Sequence, residues 1–360
     1  MNLNKKTISM FLLLISTSLC LFAQTNRPQE PKEPFDYVSE NVVFENKVDH
    51  ISLAGTLTYP KKGSNFPAVI LISGSGPQDR NSELLKHKPF LVISDYLTNN
   101  GIAVLRVDDR ETGESQGSYN DTGLDGFVND TESAFQYLKS RKELNHSQIG
   151  LIGHSLGGVI APIVASENKE VAFIVLLAGS GIRGDQLMLL QKELIERKAG
   201  VPQFGIAQGQ NNMKGAYDLI LKSEDRVQLQ GELKDYFTKV FGAMLPENQI
   251  NILSKQMSWP WLTDFIKFDP QTVLSKTTCP VLALNGSNDL QVPPKENLAA
   301  IEKILHENGN KNVTVLELEK LNHLFQESET GLPNEYGTIK QTFSPQAMTI
   351  VLDWIKEKTE

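Results

Sequence analysis

Cysteine is scarce: the 360-residue chain holds two, Cys20 and Cys279. Cys20 falls in an N-terminal stretch with the layout of a secretory signal peptide, so its removal leaves Cys279 alone and excludes an internal disulfide. Cys279, beside Pro280 and an apolar run, reads as a small buried hydrophobe rather than a nucleophile. Histidine is nearly as sparse. His50, His87, His146, His154, His306 and His323 fall at no metal-ligand spacing, so no metal site is expected. Positive charge is in deficit, with 35 Lys and Arg against 43 Asp and Glu, which argues against nucleic acid as a partner. Long apolar runs are missing too. The best, residues 8–14 with a weaker continuation to Phe22, is short for a spanning helix.

That first run follows Lys5-Lys6 and ends at Ala23-Gln24, which predicts a signal peptide over residues 1–23 and an exported protein, periplasmic or secreted. Leu19 stands where a lipoprotein pattern needs a small residue, which argues against lipidation of Cys20. Removing residues 1–23 takes away Lys5 and Lys6 and no acid, leaving a net charge of -10 and no stable membrane span.

Residues 24–34, with three prolines among polar residues, read as a disordered linker. Strand signals follow at 41–44 and 51–59, and 68–73 is a continuous apolar run suited to a parallel strand covered on both faces. Residues 89–100 read as a helix stopped by Gly101, and 102–107 as the next strand. Over 125–138, Phe127, Thr131, Ala134, Phe135 and Leu138 share one helical face. Strands are expected at 148–152, 171–177, 280–284 and 313–318, with helices over 296–305 and at the C-terminus, where Ala347, Ile350, Val351, Trp354 and Ile355 line up. Residues 180–275 break this rhythm with helical stretches at 185–198 and 232–245 and no convincing strand. They are expected to form an inserted helical cap on a core made of 35–179 and 276–360. Strand and helix alternating on both sides predict an α/β class with a mostly parallel sheet.

The most informative stretch is Gly153-His154-Ser155-Leu156-Gly157. It follows a short apolar strand and opens a helix rich in small residues, so a sharp turn would lift the Ser155 hydroxyl above the sheet. A serine hydroxyl needs a base within reach and a group that fixes the base's tautomer. Asp289, in the turn-rich loop 285–289, and His323, in Leu321-Asn322-His323, each follow a strand and are expected at the same sheet edge as Ser155. Asn288, Glu317 and Glu319 are weaker candidates for the acid. Developing negative charge needs backbone donors. Leu156 N–H is one candidate, and Ser75 or Gly76, in the glycine-rich loop Ser73-Gly74-Ser75-Gly76-Pro77, supplies the other.

With these motifs the chain resembles the serine hydrolases of the α/β-hydrolase fold, near the bacterial esterases of the serine aminopeptidase-like and acylglycerol-lipase-like branch. The resemblance rests on Leu53-Ala54-Gly55-Thr56-Leu57, residues 73–81, Asp108-Asp109-Arg110, Gly113-Glu114-Ser115, residues 153–158, Asn285-Gly286 with Asp289, and Asn322-His323. It implies activity on short acyl esters, no cofactor, and a cap after the strand that follows the serine. Two positions depart from the pattern. Glu111 stands where such loops carry glycine, and Ser73 replaces a histidine at the start of the 73–77 loop, so that loop's side-chain support must differ.

Asp109 and Arg110 either bind substrate or, the reading preferred, form a structural ion pair that holds the loop. Trp259 and Trp261, with Phe265 and Phe268, either roof an acyl pocket as substrate-binding residues or fasten the cap to the body. Residues 324–342 are expected to edge the site as a mobile loop. The expected reaction is ester hydrolysis through an acyl-enzyme on Ser155. Rival readings are a peptidase, for which Glu193, Glu196 or Asp218 would grip a free amino terminus, a thioesterase, and a non-catalytic binding protein on the same scaffold.

Overall fold

Residues 68–71 read Ala-Val-Ile-Leu, and successive side chains of a strand point to opposite faces. In the computed structural model, which describes residues 27–360, Ala68 and Ile70 enter one hydrophobic core and Val69 and Leu71 another. Both faces of the sheet are therefore covered, as a continuous apolar strand requires. The signal-peptide expectation for residues 1–23 lies outside the described residues.

Eight strands form this sheet: β1 (Tyr37–Asn46), β2 (Ile51–Pro60), β3 (Phe66–Ile72), β4 (Ala103–Val107), β5 (Leu144–His154), β6 (Ile174–Leu177), β7 (Val281–Gly286) and β8 (Val313–Leu318). Their spatial order is β1-β2-β4-β3-β5-β6-β7-β8. β1 and β2 form an antiparallel hairpin, and β2 runs antiparallel to β4; from β4 to β8 every pairing is parallel. Parallel strands all end on one edge, and the loops leaving that edge can converge on a ligand. Helices α1 (Pro89–Asn99), α2 (Leu124–Lys139) and α3 (Gly157–Glu167) pack on the sheet before β6. α1 lies on the Val69 face, while α2 and α3 lie on the Ile70 face.

Between β6 and β7 run six helices and no strand: α4 (Gly184–Lys198), α5 (Gln203–Lys222), α6 (Arg226–Phe241), α7 (Glu247–Met257), α8 (Pro260–Lys267) and α9 (Gln271–Leu274). The expected helix at 232–245 is displaced, because Asp225 caps α6 at 226 by accepting from the Val227 and Gln228 N–H groups. Met213, Ala216, Tyr217 and Ile220 of α5 fall at helical spacing and meet Leu229, Leu233 and Phe237 of α6 in a core separate from the two sheet cores. After β7 the chain adds α10 (Pro294–Glu307), β8 and the closing α11 (Pro345–Thr359).

Two expectations fail for one reason. The linker is not free from residue 27 onward: Arg27 Nη2 donates to the Leu85 and Gly337 carbonyls at 2.8 and 3.0 Å, and Gln29 takes the Thr342 N–H at 2.6 Å and donates to the Phe343 carbonyl at 2.7 Å. The 324–342 segment is held by the same bonds and by burial of Phe325, Gln326, Tyr336 and Thr342. Polar residues read locally as solvated instead satisfy each other's backbone groups across about 300 positions of sequence.

Candidate active site

Ser155 has φ +54°, the left-handed region that a non-glycine residue enters only when its surroundings impose it. The surroundings are glycines. A Cβ added to Gly153 would lie 2.0 Å from the Gly157 carbonyl oxygen, and one added to Gly157 would lie 2.2 Å from the Ile72 carbonyl oxygen. Backbone therefore packs directly on backbone on both sides of the serine. Ser155 N–H donates to the Leu177 carbonyl at 2.9 Å, and its own carbonyl accepts from Gly158 N–H at 2.9 Å, starting α3 at once.

Beyond β7, Asp289 is almost wholly buried. Its Oδ1 accepts from the Gln291 and Val292 N–H groups at 2.8 and 2.9 Å, and its Oδ2 faces His323 Nδ1 at 2.8 Å. A carboxylate on Nδ1 fixes the proton there and leaves Nε2 as the ring's acceptor. The weaker acid candidates take no such part: Asn288 Nδ2 donates to Ser328, and Glu317 and Glu319 are exposed on and just after β8.

Two residues that the sequence reading passed over hold His323 in place. Asn322 Oδ1 accepts from the Leu324 and Gln326 N–H groups at 2.9 and 3.0 Å, which shapes the turn. His154, next to Ser155, has Nε2 2.8 Å from the His323 carbonyl, tying the serine turn to the histidine loop. Burial, and then the neighbouring His323, push His154 down to about 4, so it is neutral and donates through Nε2. The signal for His154 was present in the motif, but nothing local reveals that its partner lies 169 residues away.

The loop after β3 comes up beside the serine. A Cβ on Gly74 would lie 3.4 Å from Ser155 Cβ. Among the described residues, the Ser75 and Leu156 N–H groups donate to no protein acceptor. Gly76 is a correction: its N–H donates to the Tyr119 hydroxyl at 2.9 Å and is already used. Tyr119 is fixed in turn by Glu111, whose carboxylate accepts the Tyr119 N–H at 3.1 Å. Glu111 keeps the loop conformation of the missing glycine, at φ +68°, and adds this anchor.

The expected Asp109–Arg110 pair is absent. Arg110 instead pairs with Asp130 and Asp49, both at 2.6 Å, and Asp108 pairs with Arg80 at 2.5 Å. Adjacent side chains leaving a strand diverge, so each charge finds a partner on another element. Asp109 accepts from Ser73 Oγ and Gln78 N–H.

Trp261 contacts the Tyr119 ring edge-on at 6.2 Å, and Trp259 lies behind it, 6.3 Å away. Phe265 and Phe268 pack into the sheet cores, and Asp264 accepts from Leu124 N–H at the start of α2 at 3.1 Å. These contacts fasten the helical segment to the body. Glu193, Glu196 and Asp218 are each matched four residues away on their own helix, by Arg197, Lys192 and Lys214. A cavity of about 60 Å³, lined by Gly74, Leu156, Ile160, Tyr119, Phe127 and Asp109 among others, opens beneath the 73–77 loop.

Residues 89–329, well over half the chain, match the sequence model of the family described as Hydrolase_4, serine aminopeptidase, S33. The chain belongs to this serine aminopeptidase S33 family. It is 27% identical over 306 residues to the esterase EstD of Thermotoga maritima, a match that covers 84% of this chain and 65% of that protein's length. It is also 29% identical over 173 residues to the polyketide transferase ATR5 of Stachybotrys chlorohalonatus, covering 45% of this chain and 54% of that one. The chain thus spans about two thirds or less of these two relatives. Among solved structures, the esterase Pf2001 of Pyrococcus furiosus superposes with a TM-score of 0.53 at 17% identity, over 89% of this chain and 93% of that one. The α/β hydrolase GrgF of Penicillium superposes equally well, TM-score 0.53, over 89% of this chain and 99% of its own. The S33 family chain therefore has the α/β-hydrolase fold. Among its described residues no helix is long and apolar enough to cross a membrane, and no group of three or more His, Cys, Asp or Glu could hold a metal ion.

Proposed function

We propose that this protein is an exported serine esterase that hydrolyses short acyl esters through an acyl-enzyme. Ser155 Oγ attacks the ester carbonyl carbon as His323 Nε2 takes its proton. The Ser75 and Leu156 N–H groups hold the oxyanion. His323 returns the proton to the leaving alcohol, and water, activated by the same ring, releases the acid. The observation that carries this reading is the Asp289–His323 contact of 2.8 Å, tied through His154 to a serine held at φ +54°. The carboxylate leaves His323 Nε2 free to accept a proton, and the His154 bond brings the histidine loop to the residue next to Ser155, which supports the reading.

The preference for short acyl chains is supported by a small cavity lined in part by Gly74 and Leu156, close to the proposed oxyanion donors. Residues 180–275 act as the cap over this site, with Trp261 set against Tyr119, a residue that lines the cavity. The N-terminal stretch 1–23 directs export. A peptidase that grips a free amino terminus is disfavoured, because each acidic candidate in the helical segment already has a cation. The test is turnover of p-nitrophenyl esters from acetate to palmitate beside aminoacyl and peptidyl anilides, with the mature chain and Ser155→Ala. Short-ester turnover that disappears in the variant supports the reading. Cleavage confined to the anilides sinks it in favour of a peptidase.

A further inference from the structure

The Ser75 N–H belongs to a loop with no helix or strand to stiffen it, and glycines at 74 and 76 make it more pliable still. An oxyanion donor must nevertheless be fixed before the reaction begins, since a misplacement near 1 Å can cost on the order of a hundredfold in rate. One side chain closes the loop at both ends. Ser73 Oγ lies 2.7 and 2.8 Å from the two carboxylate oxygens of Asp109, and Gln78 N–H donates to Oδ2 at 3.0 Å. Asp109 N–H returns a bond to the Gln78 carbonyl at 3.0 Å. The span 74–77 is therefore a bridge whose two feet stand on one residue, with Gly76 tied to Tyr119 at its apex.

We propose that Asp109 is a positioning residue for the oxyanion hole, setting the direction of the Ser75 N–H through its bonds to Ser73 and Gln78. This rests on the reading of Ser155 as the nucleophile. The carboxyl faces Asp108, Asp130 and Tyr119, and the nearby arginines are committed elsewhere, Arg80 to Asp108 and Arg110 to Asp130 and Asp49. Asp109 thus has no cation of its own, and burial pushes it up to about 7. Its role depends on hydrogen-bond geometry rather than charge. An asparagine preserves that geometry: its oxygen takes the Gln78 N–H, and its amide donates to Ser73 Oγ, which then acts as acceptor. Alanine loses both feet.

The experiment uses the mature chain, with Asp109→Ala, Asp109→Asn and Ser73→Ala. It measures the rate constant for Ser155 labelling by a fluorophosphonate, in which the serine oxygen displaces fluoride at phosphorus and the P=O oxygen occupies the hole. Alongside, kcat and KM are measured for p-nitrophenyl butyrate. Asp109→Ala is expected to slow labelling and lower kcat by about 10- to 100-fold with KM within about threefold. Asp109→Asn should stay within about fivefold of the native chain, and Ser73→Ala should fall between. Native-like rates in Asp109→Ala overturn the inference, as does an Asp109→Asn variant as slow as the alanine. If Asp109→Ala fails to fold, Ser73→Ala decides: an unchanged rate overturns the inference. Labelling of the native chain without ester turnover defeats the ester reading, and the labelling series still judges Asp109. A native chain that the probe never labels defeats both.

Discussion

Replacing Asp289 by asparagine changes one atom, and the bonds around it dictate the result. Oδ1 receives two backbone N–H groups, from Gln291 at 2.8 Å and Val292 at 2.9 Å, so the amide oxygen of the new side chain has to occupy that position. The NH₂ is then forced to the Oδ2 position, 2.8 Å from His323 Nδ1, where two donors would face each other. His323 escapes by moving its proton to Nε2 and accepting at Nδ1, a tautomer that cannot take the proton of Ser155. The fold keeps both backbone bonds, so thermal stability should change by less than about 1 kcal/mol. Turnover should not survive: an error of this kind lowers kcat by about 10⁴, or about 5.5 kcal/mol of barrier at 1.36 kcal/mol per decade. The assay is kcat and KM on p-nitrophenyl acetate and butyrate near pH 8, with Glu317→Gln and Glu319→Gln as controls that should stay within twofold. An Asp289→Asn variant retaining a tenth of the native kcat, or losing activity only through KM, would refute the assignment of the acid.

Gly157→Ala and Gly231→Ala should act in opposite directions. An added methyl at 157 meets the Ile72 carbonyl at 2.2 Å and should destroy activity and lower stability by at least about 1–3 kcal/mol, whereas nothing lies within 4 Å at the exposed helical position 231, where alanine should add about 0.5–1 kcal/mol, both read from denaturant midpoints. The Asp109 carboxyl binds its proton up to about pH 7 in the folded state and only to about 4 when unfolded, so its contribution to stability decreases as pH rises from 4 to 7. Asp109→Asn should therefore gain melting temperature over the native chain at pH 8 and lose that advantage near pH 4; equal melting curves at both pH values would count against the raised value. Leu233→Ala, in the separate core of α5 and α6, should cost about 2–5 kcal/mol yet leave kcat/KM of the folded variant within a few-fold at low temperature. Matching losses of stability and activity would show that this core and the site are not independent.

Local sequence determined the elements and the candidate chemistry. The alternation at 68–71, the helical spacing at 127–138 and the Gly153–Gly157 motif each report on physics that acts within about ten residues: strand facing, helix facing and backbone close approach. Because parallel strands end on one edge, the position of Ser155, Asp289 and His323 each after its own strand also pointed to one shared edge. Tertiary structure decided which partners they took. Arg110 and Asp109 are neighbours in sequence but bond to other elements, since consecutive side chains diverge. Gly76 carries a suitable N–H, yet a tyrosine 43 residues later uses it. His154 and His323, and Arg27 with the 337–339 turn, meet only because the fold closes long loops around them. A hydrogen bond across such a distance leaves no periodicity or composition in the sequence; it exists only once the cores have fixed the backbone, and that backbone selects which N–H groups, such as those of Ser75 and Leu156, find no protein acceptor among the described residues.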